Sequence, residues 1–206
     1  MQDSTKTTPP ILLVLSGPSG VGKDTVLSRM KDLEKGYHFT TTMTTREKRI
    51  GEVDGEDYIF LTKKKFEETL ANGGFIEWAL VYGNLYGVPR KQVVRALSDG
   101  VSVIVKIDVQ GARTLKKIAP EAIFVFLAPP SMASLEKRLR ERETESPEAL
   151  GARLAIAQSE MEESRWFDHI VVNEENASEG AVEKIRRIAF EKRLSNKVTN
   201  YFSGPS

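Results

Sequence analysis

The sequence predicts an α/β fold, a parallel sheet with helices on both faces, and three observations carry that prediction. Apolar runs recur without the alternation of a half-exposed strand: Ile11–Leu15, Val101–Ile107, Ala122–Leu127 and His169–Val172. Segments with the length and apolar spacing of helices separate them. Between the first run and the first helix stands Gly17-Pro18-Ser19-Gly20-Val21-Gly22-Lys23, which fits G-x-x-x-x-G-K. Strand, glycine loop and helix in that order make a phosphate-binding loop. The glycines let successive backbone N–H groups curl around phosphate oxygens, the helix N-terminus adds positive potential, and Lys23 supplies a mobile charge.

The remaining elements follow in chain order. The first helix covers DTVLSRMKDLEK, and Tyr37–Thr45, rich in aromatic and β-branched residues, predicts a strand. Loop chemistry from Arg46 to Glu56 leads to a short strand at Tyr58–Leu61. Thr62 can cap a helix that Asn72-Gly73-Gly74 stops, and Phe75–Val81 is the next strand, followed by a turn at Gly83-Asn84. A helix starts at Pro89 and ends before Asp99-Gly100. Helices follow over about 109–119, from Ser131, from Ser146-Pro147 to Phe167, and over 177–194. The stretch 40–88 has strands without long helices between them, so it reads as a β-rich insert. The expected division is a core of 11–39, 89–130 and 167–196, the insert at 40–88, and a helical lid at 131–166. A flexible leader (1–10) and a tail (197–206) flank it.

Composition narrows the function. The chain has 206 residues, enough for one sizeable core, with 30 Lys plus Arg against 29 Asp plus Glu. That balance gives no field to recruit a nucleic acid polymer. Zero cysteines remove thiolate catalysis and zinc-cysteine sites. No stretch approaches the ~20 apolar residues of a membrane helix. A soluble cytoplasmic protein is the expectation, and the oligomeric state stays open.

The charged clusters suit phosphate chemistry. Arg46 and Arg49 stand beside a threonine cluster and near Tyr58, a set of donors that fits a dianionic phosphate. Arg138, Arg140, Arg142 and Arg153 fall on the lid helices; they read either as a lid over a transferring phosphoryl group or as an exposed face laced with Glu–Arg pairs. Glu77 lies in a strand and Asp108 ends one, where acids in α/β sheets face the ligand crevice; Asp108 could instead cap the next helix. His38, His169, Trp78 and Trp166 are expected to be packing or surface residues, both tryptophans in the core. One position breaks the loop pattern. Asp24 stands where a Ser or Thr hydroxyl would meet Mg²⁺, and Thr25 follows. Two readings stay open: Asp24 reaches the metal directly or through water, or it points away and Thr25 serves the phosphates.

Taken together, SGPSGVGKDT, TTREKRIGEVDGEDYIF, FIEWALVYGNLYGVP, IDVQGA and RERETESPEALGARL resemble the guanylate kinases, in order and over nearly all of 11–194. The resemblance implies a P-loop kinase that moves the γ-phosphoryl group of ATP onto GMP with Mg²⁺ as cofactor. By position it implies that Gly17–Thr25, Arg138 and Asn173 bind ATP, and that Thr42, Arg46, Arg49, Tyr58, Glu77, Tyr86 and Asp108 bind GMP. Lys23, Arg46, Arg142 and Arg153 would act on the transferring group, and Asp24 is the candidate metal ligand. Besides Asp24, two residues depart from the family pattern: Lys106 replaces an acid before I-D-x-Q-G, and Val88 lacks a hydroxyl that some members place near the base. The alternative from another class is a non-catalytic guanylate-kinase-like module that binds phosphorylated peptides; such modules have a degraded phosphate loop, whereas Gly17, Gly20, Gly22 and Lys23 all stand here.

Overall fold

The run Leu12–Ser16 is buried along its whole length because it lies in the middle of a sheet. The computed structural model describes residues 8–81, 83–140, 147–175, 177–195 and 201–202. In chain order the elements are β1 (Leu12–Ser16), α1 (Lys23–Leu33), β2 (Tyr37–Phe39), β3 (Met43–Thr44), β4 (Ile59–Phe60), α2 (Lys63–Ala71), β5 (Phe75–Val81) and β6 (Asn84–Pro89). Then come α3 (Arg90–Ser98), β7 (Ser102–Lys106), α4 (Val109–Ile118), β8 (Ile123–Ala128), α5 (Met132–Arg140), α6 (Pro147–Glu162), a 3₁₀ turn (Glu163–Trp166), β9 (His169–Val172) and α7 (Ser178–Ser195).

The first sheet has the order β2-β7-β1-β8-β9, parallel at every pairing. Its central strands β1, β7 and β8 send alternate residues to two separate cores, which is why they read as unbroken apolar runs. Leu12, Val14, Val103, Val105, Phe124 and Phe126 pack with Val93 of α3 and Ala112 and Leu115 of α4. On the other face Leu13, Leu15, Ile104, Val125 and Leu127 meet Val26 and Met30 of α1 and Val182 and Ile185 of α7.

The second sheet, β4-β3-β6-β5, is mixed and lies within the β-rich insert. Here the strand expected over Tyr37–Thr45 proves to be two. Its first part pairs with β7 and its second with β6 and β4. Between them Thr41 donates its N–H to Gln92 Oε1 (2.9 Å), and Gln92 Nε2 donates back to the Thr41 carbonyl (3.3 Å). A side chain thus satisfies the backbone where the chain changes sheets. Trp78 also corrects the expectation of a core residue. It shares the outer face of β5 with Leu80 and is 43 % exposed. Trp166 does pack against the first core, beside Phe124 and Phe167.

Two expected caps form. Thr62 Oγ1 accepts from Lys65 N, and Asp108 Oδ1 accepts from Gly111 N at 2.7 Å. The helix expected to reach Phe167 stops at Glu162 and continues as the 3₁₀ turn. Ser146, its expected cap, lies outside the described residues.

Candidate active site

The loop after β1 takes its shape from glycine. Gly17, Gly20 and Gly22 have φ of 141°, 84° and 99°, backbone that other residues rarely adopt. A Cβ on Gly17 would run into the Leu127 carbonyl oxygen, and one on Gly22 would meet Asn173 Nδ2 at 2.6 Å. The loop therefore lies flat against β8 and the segment after β9. Lys23, at the start of α1, turns back over it, donating to the carbonyls of Gly17 (2.5 Å) and Pro18 (3.0 Å). Burial pushes the Lys23 ammonium below its ordinary range, while Glu160 and Asp24 pull it back up.

Residues of α5, α6 and the segment after β9 hold the loop from two sides. Arg153 of α6 donates to Ser19 Oγ (2.7 Å) on the open side. Arg138 of α5 and Asn173 lie behind it and both donate to the Val21 carbonyl, at 3.1 and 2.8 Å. Arg138 also reaches the Asn173 carbonyl at 3.0 Å. These two residues shape the loop and do not line the cleft in front of it.

Across that cleft stand the insert's side chains. The space between loop and insert is about 510 Å³, and its wall combines Ser19, Gly20, Gly22, Lys23, Asp24, Thr25 and Arg153 with Thr42, Arg46, Arg49, Tyr58, Glu77, Tyr86 and Asp108. Among the residues implied by resemblance, Gly17, Pro18 and Val21 form the loop's underside. Arg142 lies outside the described residues. Val88 is fully buried in the first core and does not line the cleft.

Arg46 is held in place before any ligand arrives. Glu52 Oε1 accepts from its Nη2 at 2.7 Å, and its guanidinium lies over the rings of Tyr58 and Phe60, at 5.3 and 5.6 Å from their centroids. The other oxygen of Glu52 accepts from Arg49 N (2.8 Å). Burial would raise the Glu52 carboxyl, yet Arg46 and the Arg49 amide hold it below the usual range. Tyr86 meets Tyr58 edge-on.

At the far end lie two acids. β5 carries an irregularity in its pairing with β6 between Phe75 and Glu77, the kind of bulge that re-aims a side chain. Glu77 is 4 % exposed, and its Oε2 has no hydrogen-bond partner among the described residues. A Cβ on Gly111 would strike that oxygen, so the glycine of IDVQGA makes room for the carboxyl. Burial, reinforced by Asp108, pushes Glu77 up to about 8. Asp108 is also raised by burial, against the pull of its bond to Gly111 N.

Two contributors, Glu52 and Glu160, escaped the sequence reading, and a third, Lys106, was marked there only as a departure from the family pattern. Glu52 could have been found from its spacing to Arg46 and Arg49. Glu160 of α6 reaches the cleft beside Lys23, and burial raises its carboxyl although Lys23 opposes this. Lys106 lines the cleft as well, bonded to Asp24 and Tyr58.

For a divalent ion, the described residues hold no cluster of three or more His, Asp or Glu that could bind it alone. The exposed Asp24 carboxylate and Thr25 hydroxyl, at the first turn of α1, are hard oxygen donors beside the loop. They fit Mg²⁺ of the kind that brings phosphate oxygens as its other ligands.

A glycine loop between parallel strand and helix, faced by arginine and tyrosine side chains with buried acids and met by Arg153 of α6, defines a P-loop nucleoside monophosphate kinase. The guanylate kinase family model matches residues 10–192. The chain is 42% identical over 191 residues to guanylate kinase of Carboxydothermus hydrogenoformans, covering 93% of both chains. It is 48% identical over 180 residues to that of Gloeobacter violaceus, covering 87% of each. The crystal structure of guanylate kinase from Anaplasma phagocytophilum superposes with a TM-score of 0.73 at 34% identity, over 92% of this chain and 88% of that one. The chain belongs to the guanylate kinase family, and its activity is ATP-dependent phosphoryl transfer to GMP.

Proposed function

We propose that the cleft divides this reaction between its two walls. ATP lies along Gly17–Thr25 with its phosphates on the loop amides and Lys23. GMP lies on the insert, its phosphate held by Arg46, Arg49, Tyr58 and Tyr86 and its base by Glu77, Asp108 and Thr42. Once phosphate oxygens arrive, the Lys23 ammonium exchanges loop carbonyls for them, so the ligand-free loop already holds the charge where it is needed. Arg46, fixed by Glu52, keeps the acceptor phosphate in line with the donor, which is where most of the rate comes from in phosphoryl transfer. Arg153 reaches across from the lid and adds positive charge at the junction. Mg²⁺, bound with ATP near Asp24 and Thr25, would supply further charge neutralisation on the phosphates.

The observation that carries the acceptor assignment is the unpartnered, buried Oε2 of Glu77. A buried acceptor without a donor is costly, and a base edge presenting two adjacent N–H groups relieves it. Guanine has that edge. Adenine and cytosine set one amino donor beside a ring acceptor, and uracil flanks a single N–H with carbonyls, so none offers donors on two neighbouring nitrogens.

The test is ADP formation by the purified protein with Mg²⁺ and ATP, comparing GMP, AMP, UMP and CMP at equal concentration. Turnover with GMP alone is expected. Comparable turnover with a second monophosphate would overturn the guanine assignment. No turnover with any of them, alongside phosphopeptide binding, would move the chain to the non-catalytic class.

A further inference from the structure

Two residues that depart from the family pattern, Asp24 and Lys106, are distant in sequence and meet in space. Lys106 ends β7, opposite Leu15 of β1. Its ammonium donates to Asp24 Oδ1 and to the Tyr58 hydroxyl (2.9 Å), and lies 4.3 Å from the centre of the Tyr58 ring. The Lys106 side chain is 13 % exposed, against 73 % for Asp24. The Lys106 ammonium therefore bridges the first turn of the loop helix and a tyrosine of the insert.

Each of the two residues is awkward without the other. A carboxylate beside the phosphate loop repels phosphate oxygens unless a cation balances it. A mostly buried lysine near Lys23 would oppose that residue's charge unless an anion meets it. Joined, they cancel, and the joined group also touches Tyr58. By contrast, the family pattern has a neutral hydroxyl at the first position and an acid at the second. Here the acid stands on the loop helix and the strand end carries its counter-ion.

We infer that Lys106 is a positioning residue for phosphoryl transfer, fixing the Asp24 carboxylate and the Tyr58 hydroxyl at one point between donor and acceptor, and that Asp24 and Lys106 work as a compensated pair. The inference rests on the placement of ATP and GMP given above. It has two consequences: the charge of the pair governs how ATP binds with and without metal, and the contact with Tyr58 governs how GMP binds.

The experiment is calorimetric titration of wild type, Asp24→Asn, Lys106→Met and the double variant with three ligands: ATP in EDTA, ATP with Mg²⁺, and GMP alone. Without metal, Asp24→Asn should bind ATP about fivefold more tightly and Lys106→Met about fivefold more weakly, the scale of a partly exposed ion contact. The double variant should return to within about twofold of wild type, because the pair's net charge is zero in both. The factor by which Mg²⁺ improves ATP binding should fall wherever Asp24 is replaced. GMP affinity should fall about tenfold wherever Lys106 is replaced, as for the loss of a hydrogen bond from a charged group. Single substitutions that shift metal-free ATP binding in the same direction, or a double variant no closer to wild type than the worse single one, overturn the pairing. Unchanged GMP affinity in Lys106→Met overturns the positioning role. Should that variant not fold, Asp24→Asn decides alone, because unchanged or weaker metal-free ATP binding contradicts the pair. A wild type that binds ATP but not GMP refutes the acceptor placement instead.

Discussion

The two walls of the cleft are built from different material. The wall we assign to the donor is mostly backbone: three glycines with positive φ, a helix start and one lysine, pressed against Leu127 and Asn173. The facing wall, which we assign to the acceptor, is side chains held by single bonds: Arg46 by Glu52, Tyr58 by Lys106, Asp108 by the Gly111 amide. A wall of backbone amides tolerates an altered side chain nearby, which is how Asp24 can stand beside an intact loop. A wall of side chains can be dismantled one partner at a time, with the loss confined to one substrate.

The sharpest way to break this contrast is on the donor side. Gly17→Ala places a Cβ against the Leu127 carbonyl at a φ that alanine rarely adopts. ATP affinity should fall by more than about a hundredfold and the melting temperature should drop by several degrees, since both backbone strain and a buried clash are imposed. Wild-type ATP binding in this variant would mean that the loop's shape does not depend on that contact.

On the acceptor side the largest effect belongs to Arg46→Ala, which removes the positioned guanidinium. It should lower kcat/KM for GMP about a hundredfold to a thousandfold, the scale of a charged group lost from a transferring phosphate. Glu52→Gln leaves Arg46 present but less firmly held, and a smaller loss in the same parameter is expected. An equal loss in both variants would show that Glu52 does more than hold the arginine.

Glu77 sharpens the comparison through pH. With its carboxyl raised to about 8, it is mostly protonated at neutral pH in the free protein. Guanine N–H donors favour the carboxylate, so GMP binding should release a proton and strengthen as pH rises from about 7 toward 8. Calorimetry in buffers of differing ionisation enthalpy reads the proton directly, and no release would contradict the role. The sign for stability is opposite. A raised folded-state value means Glu77 supports the ligand-free fold at low pH, and that support is lost as pH rises through about 8. Glu77→Gln should therefore melt higher than wild type at pH 8.5 relative to the same comparison at pH 6, while its discrimination for GMP collapses.

The smallest effect tests the frame of the insert. Thr62→Ala removes the cap of α2 and should cost about 1 kcal/mol of stability in denaturant unfolding. GMP and ATP affinities should both be retained, because α2 contributes no residue to the cleft.

How much of this was legible in the sequence follows the same division. The phosphate loop is a local backbone pattern, so its residues, strand and helix could all be read directly. β5 was also legible to its ends, Phe75 and Val81, because glycines bracket it. Glu77 and Asp108 could be placed as strand acids, but the bulge that aims Glu77 and the room Gly111 leaves for it depend on chain segments that are far apart. The same holds for Lys106, whose meaning lies in a contact with Asp24 and Tyr58 that no spacing reveals. The strand over Tyr37–Thr45 failed because its propensity continues through a point where Gln92 takes over the backbone and turns it into a second sheet. Resemblance alone puts Arg138 and Asn173 among the ATP-binding residues, and no spacing shows that their bonds run to Val21 behind the loop.

The division of the cleft is tested most directly by a crossed titration, measuring ATP and GMP affinity separately on Lys23→Met and Arg46→Ala. The account predicts that Lys23→Met weakens ATP about tenfold or more with GMP nearly unchanged, and that Arg46→Ala does the reverse, each charge serving the phosphate on its own wall. Variants that weaken both nucleotides alike would contradict it, because the cleft would then be one shared phosphate site with no separate donor and acceptor walls.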